Sequence, residues 1–87
     1  MIRSTTETPY GKVTTAAEIG HLIRRKRKEL GARQENTAAL SNVGTTFLSH
    51  LENGKETVEL GKALQVLKSL GLDLYIYPRS QNPLQER

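Results

Sequence analysis

No cysteine occurs in this chain. That excludes a disulfide framework, a thiolate zinc site and a cysteine nucleophile, and it argues against a small secreted domain, which would ordinarily be stapled. A cytoplasmic setting is expected. A run of about 18 apolar residues is also missing, so no membrane span is expected, and the N-terminus lacks the apolar core of a signal peptide. The two histidines, His21 and His50, lie far apart without spaced His, Cys or carboxylate companions, so no metal site is expected. There is no P-loop, GxSxG or GxGxxG, and the nine acidic residues show no pairing suited to acid/base work. Neither an enzyme nor a cofactor is expected.

What is present is modest. A chain of 87 residues at 36% hydrophobic can bury one small core, so a single domain is expected. Thirteen Lys and Arg against nine Asp and Glu give a formal charge of +4, which suits a polyanionic partner without demanding one.

Residues 1–14 are polar, Thr-rich and broken by Pro9 and Gly11, and read as a flexible arm whose Arg3 and Lys12 could follow a DNA groove. Thr15-Ala16-Ala17-Glu18 has the form of a capping box and starts a helix over 16–30, with Ile19, Leu22, Ile23 and Leu30 as its apolar stripe and Gly31 as a left-handed stop. A second helix is expected over 34–41, with Ala38 and Leu40 inward, and a third over 45–52, with Phe47, Leu48 and Leu51 inward. Asn53-Gly54 stops the third. A fourth helix, capped by Thr57 and running to Leu70, should bury Leu60, Ala63, Leu64, Leu67 and Leu70. The apolar period then changes to two, as Leu72, Leu74 and Ile76 alternate with Asp73, Tyr75 and Tyr77 before Pro78. This is the pattern of a strand over 72–78. A lone strand leaves its backbone groups unpaired, so it should pair with a second copy in a homodimer, or else with a segment such as Tyr10 to Val13. Residues 79–87 read as a flexible tail.

Two short helices around an Asn42–Gly44 turn make a helix-turn-helix, whose second helix enters the major groove. Thr45, Thr46, Ser49 and His50 then occupy the base-reading positions, where hydroxyls, a Thr methyl and an imidazole can meet base edges. Arg33, Gln34, Asn53 and Lys55 flank the same surface as phosphate contacts. Each of these eight could instead be a solvated surface residue or simple helix-end chemistry. The run Arg24 to Lys28 is the densest basic tract, but consecutive residues point all round a helix, and most are expected to be solvated. Arg27 differs, because it falls on the apolar stripe between Ile23 and Leu30. A charge there needs a partner, and Glu52 is the candidate.

At LENGK, Leu51 to Lys55, preceded by Gln34 and the Val43-Gly44-Thr45-Thr46 turn, the chain resembles the Xre/Cro family of DNA-binding domains, over about Ala16 to Leu70. The resemblance implies an all-α, lambda-repressor-like bundle of four to five helices over 15–71, with Gln34 contacting the DNA backbone and a neighbouring base, Thr45, Thr46 and His50 at the base edges, and Arg27 paired with Glu52. Arg33 stands where Thr is usual, Thr37 where Leu is usual and Asn42 where Gly is usual. The continuation VELGKALQVLKSLGLDLYIY is similar to the HipB-like branch, in which a C-terminal strand pairs across the homodimer. That branch implies an antitoxin that binds a HipA-like serine/threonine kinase toxin and represses their operon through an inverted-repeat operator. A stand-alone regulator of other genes, or an adaptor that keeps the fold without binding DNA, remains open.

Overall fold

Thr15 opens the first helix as the capping box requires. Its hydroxyl accepts the Glu18 N–H at 3.2 Å, and the Glu18 carboxylate accepts the Thr15 N–H at 3.1 Å. Further donation from Thr14, led by its backbone N–H, holds the Glu18 carboxyl below the usual carboxylate range. The computed structural model describes residues 10–81. Among these, four α-helices follow in order: α1 (Ala16–Glu29), α2 (Gln34–Ser41), α3 (Thr45–Glu52) and α4 (Leu60–Ser69), with a 3-10 turn at Arg79–Gln81. The expected arm and tail lie largely outside the described residues. Arg3 is among those not described.

All four helices end in the same way. Within two residues past each helix one residue has positive φ: Gly31, Asn42, Gly54 and Gly71 in turn. In α1 the Ala32 N–H returns to the Arg27 carbonyl and the Gly31 N–H to that of Lys28, and Val43, Lys55 and Leu72 repeat the longer bond in the other three. These are Schellman endings, which satisfy the last carbonyls of a helix and turn the chain sharply. Asn42, at φ 58°, fills the left-handed position usually given to glycine, because a short amide side chain tolerates it.

The core gathers Ile23 from α1, Ala38 from α2, Leu48 and Leu51 from α3, and Ala63, Val66, Leu67 and Leu70 from α4. Ile19, Val43, Phe47, Val58 and Leu72 pack against it. α1 and α3 cross closely at Gly20, where a Cβ would stand 1.7 Å from the Leu51 carbonyl oxygen. Only glycine lets the two backbones approach so nearly.

Several sequence expectations are corrected here. Leu30, Leu40, Leu60 and Leu64 are exposed, not buried, and Leu40 is 78% so. Heptad-like spacing defines a shared side of a helix, but the width of the covered sector depends on the neighbours, and α4 turns Val66 inward in place of Leu60 and Leu64. The inner side of α2 is made of Thr37, Ala38 and Ser41, with the Ser41 hydroxyl bonded back to the Thr37 carbonyl at 2.7 Å. Small residues there bring α2 close to its neighbours. Thr57 does not cap α4; the helix begins three residues later after Glu59, because Val58 is drawn onto the core.

The strand expected over 72–78 is not formed in the single chain. Among the described residues no ladder pairs it, and Leu74, Tyr75, Ile76 and Tyr77 lie exposed, with Ile76 at 89%. Tyr10 to Val13 does not supply the partner. Tyr10 instead lies on α1, where the Arg25 guanidinium sits 4.1 Å from its ring centre. Gly11 lies against Leu22.

Candidate nucleic-acid interface

The third helix has two unlike sides. Leu48, Leu51 and Glu52 face inward and are buried, whereas Thr45, Thr46 and His50 are exposed and Ser49 is half-buried. Thr46 and His50 stand one turn apart, and so do Thr45 and Ser49, so the four form a continuous outer face. Asn53 continues it and donates from its amide to the Ser49 hydroxyl at 3.5 Å, a long bond. Lys62 from α4 lies 5.7 Å from the Phe47 ring centre and covers that ring's outer side.

Beneath this face sits a buried polar brace. Arg27 Nε donates to Glu52 Oε2 at 2.6 Å and Nη2 to Oε1 at 2.9 Å, a bidentate pairing, while Nη1 donates to the Ala32 carbonyl at 2.7 Å. Glu52 is 2% exposed and Arg27 9%. Burial alone would push the Glu52 carboxyl up; hydrogen bonds from Arg27 and Gln34, with the charges of Arg27 and Arg24, outweigh it and hold the group below its ordinary range. The bond to Glu52 likewise raises Arg27, against the effect of burial. The brace joins the end of α1, the loop after it and the last turn of α3. It fixes α3 on its scaffold.

Gln34 opens α2 and is half-buried beside the brace. Its Nε2 donates inward to Glu52 Oε1 at 3.1 Å, which leaves its Oε1 and the second N–H for other partners. A buried carboxylate needs several donors, and the first turn of α2 is within reach. Arg33 is exposed at the N-cap of α2, and Gly44 is the N-cap of α3; neither makes a side-chain cap bond. The first-turn N–H groups of both helices are therefore not capped by these residues, and each helix presents the positive end of its dipole. Lys55 is exposed just past the end of α3. Asn53 and Lys55 thus follow directly on the last turn of α3, and Arg33 stands at the start of α2.

Sequence reasoning missed Gly20, although a glycine among strong helix formers is a signal of close backbone approach. It missed Tyr10 as an anchor on α1. Among the described residues, no group of three His, Asp or Glu could hold a metal ion, and no helix is long and apolar enough to cross a membrane.

Comparison with known proteins agrees with this geometry. Residues 23–76 match the helix-turn-helix family. The chain is 45% identical over 65 residues to y4mF, an HTH-type transcriptional regulator of Sinorhizobium fredii, covering 75% of this chain and 86% of that protein. Among solved structures it is similar to a chain of a HipA-HipB-O2-O3 complex and to one of a HipB-O4 20mer complex. Each gives a TM-score of 0.73 at 18% identity, over 80% of this chain and 99% of the other. At that identity the likeness is one of fold.

Proposed function

The chain belongs to the helix-turn-helix family, and on that premise we propose that it is a transcriptional repressor that binds double-stranded DNA as a homodimer. The observation that carries this reading is the outer face of α3: exposed polar side chains on a helix whose inner side is locked by the Arg27–Glu52 brace. A helix so held can enter a major groove without reorganising, and preorganisation lowers the cost of binding. Thr45, Thr46, Ser49 and His50 meet base edges, and Arg33, Asn53 and Lys55 meet phosphates. Gln34 acts chiefly on Glu52, and its remaining amide atoms face the DNA backbone. Hydroxyls and one imidazole read bases less sharply than Arg or Asn would, so dimer spacing and DNA shape supply much of the specificity.

Two copies related by a two-fold axis read an inverted repeat with half-sites about one helical turn apart. The alternation of Leu72, Leu74 and Ile76, of which Leu74 and Ile76 are exposed, supports this, since a strand with an apolar face finds its missing ladder in a second copy. The fold likeness to chains solved with HipA and with HipB operator DNA favours an antitoxin that partners a HipA-like serine/threonine kinase and represses their shared operon. A DNA target places the protein in the cytoplasm, at the nucleoid.

A gel shift with the region upstream of its own gene, against a random duplex, tests the first part. Preferential binding to the upstream duplex is the expected result, and equal binding to both removes sequence-specific repression. Pull-down from the source cell tests the second: a co-purifying kinase is expected, and its absence leaves a stand-alone regulator.

A further inference from the structure

We propose that an exposed face of α1, made by the cations Arg24, Arg25 and Lys28 with His21 beside them, is a second surface for the DNA backbone, beyond the stretch that α3 and its flanks reach. This rests on the DNA-binding reading above and extends it. The basic tract looked dispersed in sequence, because consecutive residues point all round a helix. In the fold, three of its members join His21 at successive turns, and together they line a shallow depression of about 210 Å³. All four are exposed. No carboxylate and no hydrophobic side chain lines the depression. Arg25 has an acidic neighbour in Glu29 at 3.4 Å, and both partners are about half exposed, so water screens the pair.

The face adjoins the end of α3. It begins at the end of α3, where a Cβ on Gly54 would stand 3.7 Å from His21 Nε2. Asn53 and Lys55 flank that glycine. Further along α1, the charge of Arg24 is close enough to act on Glu52, in the last turn of α3. Arg24, Arg25 and Lys28 thus carry positive charge along α1 from beside the last turn of α3. The Tyr10 ring under the Arg25 guanidinium, at 4.1 Å, stiffens one edge of this track. Exposed guanidinium and ammonium groups fit phosphates and carry no base readout. Continuity with the end of α3 favours DNA over an acidic peptide.

The test compares the full-length wild type with the Arg24→Ala/Lys28→Ala double variant. Affinity is measured on the upstream duplex and on a random duplex, from 50 to 200 mM salt. Loss of two phosphate contacts is expected to flatten the slope of log K against log salt by about 1.8, so affinity falls roughly tenfold less across that range. The two duplexes should weaken by the same factor. A Lys68→Ala/Arg79→Ala variant removes the same net charge elsewhere, and its slope should stay at the wild-type value. If the double variant keeps the wild-type slope, or loses affinity on the upstream duplex alone, this surface is not a backbone contact. Flattening to the same extent in the Lys68→Ala/Arg79→Ala control reduces it to net charge and overturns it as well. Absence of wild-type binding to either duplex instead overturns the DNA-binding reading, and this inference with it.

Discussion

Glu52 shows how a single buried acceptor can organise a binding surface. Its two oxygens receive three donors from two different elements, and a carboxylate so satisfied costs far less than a naked one. Replacing Glu52 with alanine leaves Arg27 buried without its counter-charge, and a loss of about 3–5 kcal/mol is expected by urea unfolding. The Arg27→Met/Glu52→Met double variant should recover most of it, because two apolar side chains leave no orphaned charge. If the double variant is no more stable than Glu52→Ala, the charge penalty is not what the brace relieves. The same carboxylate sets an acid limit. Its folded pKa lies below the ordinary value of 4.5, so its contribution is complete above that pH and is lost as the pH falls through the lower folded value. In Glu52→Gln the decline of stability below about pH 4.5 should be shallower. On the outer face, His50→Ala is expected to lower the ratio of upstream to random affinity, and equal losses on both duplexes would show that His50 is no reader. The Arg27–Glu52 pair was legible in sequence, since an arginine on an apolar stripe must find an acid. Gln34's inward turn was not, because the first turn of a helix can reach either a buried carboxylate or a phosphate.

Among the elements, helix ends were easier to read than helix faces. Gly31, Asn42, Gly54 and Gly71 each mark a stop because the left-handed residue past a helix is a local requirement, fixed within a few bonds. The start of α4 was misplaced from Thr57 to its true beginning at Leu60, since packing of Val58 on the core overrode a good cap. Leu40 and Leu60 were assigned inward by period, yet nothing in period says where a neighbouring helix stops. The crossing at Gly20 is the strictest geometric demand in the bundle. Gly20→Ala places a methyl against a backbone carbonyl that cannot swing aside, and a loss of about 1–3 kcal/mol or more is expected by thermal or urea unfolding. A variant as stable as wild type would mean that α1 and α3 can separate freely at this point.

On the scale of the whole molecule, one copy leaves an apolar segment without cover. Leu74, Tyr75, Ile76 and Tyr77 follow α4 as exposed chain, and Leu72 alone of that tract rests on the core. Pairing of two copies would bury these side chains and complete their backbone bonds, and it would also set the distance between two α3 helices. Ile76→Asp is therefore expected to yield monomers by light scattering and to weaken binding to an inverted repeat far more than to a single half-site. A variant that stays dimeric would move the interface elsewhere, and the exposed Leu60 and Leu64 of α4 would be the next surface to test.

The sequence alone determined the four helices and where they stop, the inner and outer sides of α3 and the partner of Arg27, because periodicity, capping and the cost of a buried charge act over short distances or admit one solution. Tertiary structure decided what no local rule contains: how far each helix face is covered, how nearly α1 and α3 approach at Gly20, and which way Gln34 turns. It also decided that basic residues adjacent in sequence form a single charged face beside the end of α3. Those outcomes depend on where neighbouring elements lie, and that is set only when the whole core closes.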